Sequence, residues 1–237
     1  AAAVATGHYA RVTYDEHGRR YRLLRGVDPG KDQSYFLFSL TQDQLAHALF
    51  PVGHLTKADV RAYAERRGLA VADKPDSHEI CFVPDGDTAR FVERHLDEPM
   101  PEGEVVDSSG RVLGRHQGVH HFTVGQRRGL GVSTGTPLYV LRLLPADSQV
   151  VVGPRSELGR AALTASSVSW IAGTPPGGPL RATVRIRHRH HDAPAVVEAD
   201  TAGHASVRFD EPQLAVTPGQ AVVFYDGDDV LGGGWID

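Results

Sequence analysis

Cysteine, methionine and tryptophan are scarce in this 237-residue chain, at one, one and two residues, and neither sign of charge dominates. A single cysteine excludes an internal disulfide framework and a paired-thiol zinc site, so any cysteine chemistry belongs to one thiol or to a pair with another segment or chain. No apolar run approaches the roughly 20 residues that span a bilayer. The opening AAAVATGHYA has neither a basic n-region nor a cleavage pattern. No membrane partner and a cytoplasmic location are therefore expected. A net charge of −4 excludes a uniformly basic nucleic-acid binder, although thirteen histidines and clustered arginines leave room for basic patches. There is no repeat of fixed period, no low-complexity tail, and no local Ser/His/Asp or paired-carboxylate pattern of a hydrolase.

The hydrophobic share of 41% suits one large or two to three small globular domains. Residues 1–10 read as a buried strand running into the turn Thr6-Gly7-His8. The alternation of residues 11–14 and 21–24 around Asp15-Glu16-His17-Gly18 predicts a β-hairpin. Helical spacing follows over residues 34–50, with Thr41 as a possible start of a second short helix, and Thr56 is an N-cap for a helix over 57–67 that ends before Gly68. A polar, proline-broken stretch leads to Ile80-Cys81-Phe82, then to a helix over 87–96. Beyond Pro99 short β-like runs alternate with Gly, Pro and Asp turns, including strands over 180–189, 195–198, 205–209 and 221–225, a spacing that favours a small barrel. The expected division is 1–96, 97–165 and 166–237.

Few positions carry chemistry by themselves. Cys81, between Ile80 and Phe82, reads as a buried apolar residue or as a thiolate whose pKa Lys74 and His78 lower. Gly30-Lys31-Asp32-Gln33-Ser34 places charged and amide groups just before a helix without the spacing of a phosphate loop. The densest basic run is Arg185-Ile186-Arg187-His188-Arg189-His190-His191-Asp192. On a strand, period two sets Arg185, Arg187 and Arg189 on one face, as a phosphate backbone or as solvent would have them. The histidines lack an HExxH or cysteine partner, so no bound metal is expected.

Taken in order, ATGHYARV (5–12), GKDQSYFL (30–37), SHEICF (77–82), FTVGQRRGLG (122–131) and the closing PGQAVVFYDGDDVLGGG resemble the tRNA-specific 2-thiouridylase family over essentially the whole chain. The resemblance implies an α/β remnant of a PP-loop ATP pyrophosphatase domain with helices, then a β-rich central domain and a C-terminal β-barrel. It implies adenylation of the wobble uridine by ATP, with Mg2+, and sulfur transfer from a cysteine persulfide. By the same resemblance Cys81 matches the catalytic cysteine charged by a sulfur-relay persulfide donor, and Gly7 an ATP-contacting glycine. His8, the triplet Lys31, Asp32 and Gln33, the pair Arg187 and His188, and Gln220 match tRNA contacts, His188 standing where a tyrosine is expected. An SGGxDS loop and a second cysteine are implied to precede Ala1, so this chain alone is not expected to complete turnover. The alternative from another class is a noncatalytic tRNA-binding module with an inert Cys81.

Overall fold

The computed structural model describes residues 2–70, 88–96, 98 and 100–237, which pack as two compact units. The first unit joins the described residues up to 70 with 161–212 and 218–237; the second joins those from 88 to 160 with 213–217. Strand dominates both, as expected.

In the first unit β1 (Val4–Ala5) is two residues long and exposed rather than the expected buried strand, and it runs into an irregular Thr6-Gly7-His8 segment. β2 (Ala10–Asp15) and β3 (Arg20–Arg25) form the expected hairpin, with Tyr14 opposite Tyr21. The stretch 34–50 is not one helix. A 3-10 turn at Ser34–Leu37 is followed by α1 (Gln42–Ala46), because Thr41 and Gln44 form a reciprocal capping box that starts the helix anew. β4 (Ala48–Leu49) then pairs in parallel with β1, which is the α/β element of this chain. α2 (Lys57–Arg66) opens on a second box, Thr56 with Asp59, and stops at Gly68, whose φ of +64° a glycine adopts without strain.

Among the described residues the first element of the second unit is α3 (Thr88–Arg94). A four-stranded sheet follows from β5 (Gly103–Asp107), β6 (Val112–His116), β7 (Tyr139–Leu144) and β8 (Gln149–Gly153), ordered β6-β5-β8-β7. Val105, Val140, Val150 and Val152 are buried in its core with Val119, Phe122 and Leu130. β-branched residues on adjacent strands suit a pleated, covered face.

The chain then builds a barrel from β9 (Gly159–Trp170), β10 (Leu180–Arg185), β11 (Ala193–Ala199), β12 (Ala205–Leu214), β13 (Ala221–Asp226) and β14 (Asp229–Ile236). Their order is β13-β10-β11-β12-β9-β14, and pairing of β14 with β13 closes the ring of six. Period two is plain in Ala193, Ala195 and Val197 and in Ala205, Val207 and Phe209, all buried.

β13 is covered on both faces. Ala221, Val223 and Tyr225 share a cluster with Ala10, Leu23, Tyr35, Phe38 and Leu45 from the N-terminal segment, while Val222 and Phe224, also buried, alternate to the opposite side. Each such large side chain stabilises by about 1.5–3 kcal/mol. That packing, with β3 paired to β14 at Leu24 and Asp229, joins the N-terminal segment to the barrel.

Candidate functional site

The packing of 3-10 turn on barrel brings distant polar segments together beside Tyr225. Asp28-Pro29-Gly30 turns the chain, with the Asp28 carboxylate accepting from the Gly30 and Lys57 amides at 2.9 Å each. Asp32 follows and points inward, its side chain only 3% exposed. Its carboxylate accepts from the Gly26 amide at 3.0 Å and from the Ser34 amide and hydroxyl at 3.1 Å each. It also receives Arg185 Nη1 at 3.3 Å, from 153 residues further along the chain. A buried carboxylate survives only with such compensation.

Gln33 is held just as firmly. Its amide donates to the Tyr9 carbonyl at 2.9 Å and its side-chain oxygen accepts from the Tyr9 amide at 3.1 Å. His8, the residue before Tyr9, is half-buried, with Nδ1 2.9 Å from Thr6 Oγ1. His188 Nε2 donates to the Asp32 carbonyl at 3.1 Å, and its ring lies 4.7 Å from that of Phe36. Arg187 is exposed and close enough to Tyr35 to act on its phenol, which burial pushes up and Arg187 pulls back down.

The basic run therefore differs from the expected strand. β10 ends at Arg185 and the chain turns, with the His190 amide donating to the Arg187 carbonyl at 3.0 Å. The buried positions Ala182, Val184 and Ile186 stop there, so nothing apolar remains to hold a strand through residue 189. Arg185, Arg187 and Arg189 do not share a face. Arg185 is spent internally between Asp32 and Asp192, whereas Arg187 and Arg189 stay exposed.

Asp192 also takes Arg25 Nη2 at 2.7 Å, so two arginines and two aspartates close a balanced network around Tyr225. Sequence reading singled out neither Arg25, which lies in none of the matched motifs, nor Tyr225, which lies inside the closing PGQAVVFYDGDDVLGGG segment. Gln220 lies one residue before Ala221, whose carbonyl anchors the Tyr35 hydroxyl at 2.7 Å. Gly7 is exposed, and among the described residues no atom comes within 4 Å of where its Cβ would be. Cys81, Lys74 and His78 lie outside the described residues. Thus hydrogen bonds tie Gln33 to Tyr9 and His188 to the Asp32 carbonyl, which brings the segments that carry His8, Lys31, Asp32, Gln33, Arg187 and His188 together.

Three family models match the chain in succession: a tRNA methyl transferase HUP domain over residues 1–85, a tRNA methyl transferase PRC-barrel domain over 89–154, and an aminomethyltransferase beta-barrel domain over 160–236. The chain is 57% identical over 242 residues to the tRNA-specific 2-thiouridylase MnmA of Solibacter usitatus, covering 99% of this chain and 65% of that protein. It is 54% identical to the protein of that name from Geotalea uraniireducens, over 99% of this chain and 62% of the relative, and 52% identical to that of Koribacter versatilis, over 100% and 65%. The chain belongs to the tRNA-specific 2-thiouridylase family. It spans a little under two thirds of the length of these thiouridylases. Among the described residues no helix is long and apolar enough to cross a membrane.

Proposed function

We propose that this chain is part of an enzyme that replaces the 2-oxygen of a tRNA uridine with sulfur. One observation supports this most: the segments matched to tRNA contacts, residues 8, 31–33 and 187–188, come together in one unit although most of the chain separates the first from the last. Within that patch the residues divide. Asp32 is consumed by internal bonds and positions its neighbours Lys31 and Gln33, while Arg187, exposed beside it, meets phosphate.

ATP with Mg2+ is the second substrate in this reading. The open space over Gly7 fits close approach of a ligand to backbone, since nothing among the described residues requires a glycine there. Adenylation makes the uridine oxygen a leaving group. Cys81 carries the incoming sulfur as a persulfide supplied by a donor protein, and that sulfur attacks the activated carbon. Releasing it needs a second thiol. This chain has one cysteine, so the resolving thiol comes from another segment or chain.

The test is Cys81→Ser in the full-length protein. Binding of tRNA and ATP should persist while 2-thiouridine, read by mass spectrometry of digested tRNA, disappears. Thiolation at the parent level in that variant would return Cys81 to an inert role and leave a tRNA-binding module.

A further inference from the structure

In the second unit, two adjacent imidazoles and one carboxylate converge. Glu93 Oε1, near the end of α3, lies 3.0 Å from His120 Nε2 and 3.2 Å from His121 Nε2. All three ligand atoms fall within 4.8 Å of one another. Neighbouring side chains normally diverge, but here a 3-10 turn at Val119–His121 stacks the two rings with centroids 4.1 Å apart, so both Nε2 atoms aim at one oxygen. Gly118 makes this possible: a Cβ there would run into the His120 ring. The His120 side chain is 9% exposed and turns its Nε2 to Glu93, while its Nδ1 has no hydrogen-bond partner among the described residues.

A carboxylate oxygen can accept from two ring donors, as Asp32 Oδ1 does from two amides, but the same three atoms also have the spacing of metal ligands. At metal–ligand distances of 2.0–2.1 Å the edge of a coordination tetrahedron is roughly 3.3 Å, close to the separations found. Two imidazoles disfavour the hard cations Mg2+ and Ca2+, and Glu-His-His with an open fourth position suits zinc and its neighbours. α3 has seven residues, and none of its described side chains is fully buried. So short a helix needs an outside anchor.

We propose that Glu93, His120 and His121 bind one zinc-class divalent ion, with water in the fourth position, and that the ion clips α3 to the turn at Val119–His121. The proposal rests on these three residues and does not depend on the proposed thiolation chemistry.

The experiment titrates Zn2+ into the EDTA-stripped, dialysed whole chain against a chromophoric chelator, and records the Co2+ absorption spectrum. One ion per chain should bind, and Co2+ should give the intense visible bands of a tetrahedral site. Glu93→Gln and His121→Ala, at positions 45% and 38% exposed and so compatible with folding, should each weaken binding at least about tenfold. His191→Ala, in the other histidine cluster, should leave it unchanged. Absence of a one-to-one site, or an affinity that Glu93→Gln and His121→Ala leave intact in folded protein, overturns the proposal.

Discussion

The Arg25 guanidinium sits over the ring of Tyr225, its central carbon 3.7 Å from the ring centroid. Arg185 approaches the same ring at 5.4 Å, and Asp192 binds both arginines. A buried aromatic face thus holds two like charges next to each other. A desolvated cation–π contact is worth about 2 kcal/mol, and burial pushes the Tyr225 phenol up to about 12, so the ring is neutral at any working pH. Tyr225→Phe keeps the face and should cost less than about 1 kcal/mol in urea unfolding, whereas Tyr225→Leu should cost about 2–4 kcal/mol. Equal losses in the two variants would assign the role to the hydroxyl.

Asp32 is expected to behave as a structural residue. Asp32→Ala leaves two amides, a hydroxyl and one arm of Arg185 without their acceptor. Breaking a buried pair costs about 3–5 kcal/mol; Arg185 retains Asp192, which favours the lower end. Chemical denaturation should show this loss with tRNA absent. A variant as stable as the parent would make Asp32 a surface contact instead.

Stability should fall in two stages on acidification of the EDTA-treated protein. Desolvation lowers the pKa of His116 and His190 below the ordinary 6.5. Above 6.5 they are neutral folded and unfolded. Below it the unfolded chain takes protons the folded one refuses, and stability drops until the folded values are passed. Asp107, held at about 2 by Ser109 with backbone and Arg111 hydrogen bonds, adds stability above the ordinary carboxylate range that is lost as pH falls from about 4 to about 2. Urea midpoints at several pH values check this. Replacing both histidines by Gln should flatten the upper stage alone, and a midpoint that rises between pH 7.5 and 5.5 would reverse the assigned sign.

Closure of the barrel rests on glycine. A Cβ at Gly233 would lie 2.5 Å from the Val222 carbonyl oxygen and 2.7 Å from the Phe38 ring. Backbone cannot retreat there without breaking the β13–β14 ladder. Gly233→Ala should cost more than about 2 kcal/mol, while Gly177→Ala, where no described atom lies within 4 Å, should stay within about 0.5 kcal/mol. Thermal melts of both separate crowding from the general effect of adding a methyl.

That glycine run also marks where sequence reading stopped. The Leu231-Gly232-Gly233-Gly234 stretch has no side-chain alternation, so β14 went unread although it closes the ring. Local signals did read through: the Thr56 and Thr41 caps, the hairpin around residues 15–18, and the alternating strands β11 and β12. Nonlocal partnerships carry no such signal. Arg25 and Asp192 are 167 residues apart, and Glu93 and His120 are 27 apart. Nothing in their immediate neighbours announces either meeting. The arginine run misled because its charges have strand spacing while its apolar alternation ends at Ile186.

Arg187 is the residue of that run left for phosphate. It is exposed, lies beside Tyr35 and precedes His188, which is tied to the Asp32 carbonyl. Arg185 and Asp32 neutralise each other within the fold, so Arg187 brings net positive charge to the patch. If it meets the tRNA backbone, its contact releases counterions, and the slope of log affinity against log salt should shrink by about 0.7–0.9 on Arg187→Ala. Loss of a charge-assisted contact is worth about 1.5–3 kcal/mol, roughly tenfold or more in affinity. Because the side chain is exposed, unfolding should shift by less than about 0.5 kcal/mol, in contrast to Asp32→Ala. Filter binding or fluorescence titration at several salt concentrations measures both quantities. A folded Arg187→Ala protein with parental affinity and an unchanged salt slope would make Arg187 a solvated side chain and move the RNA contact elsewhere.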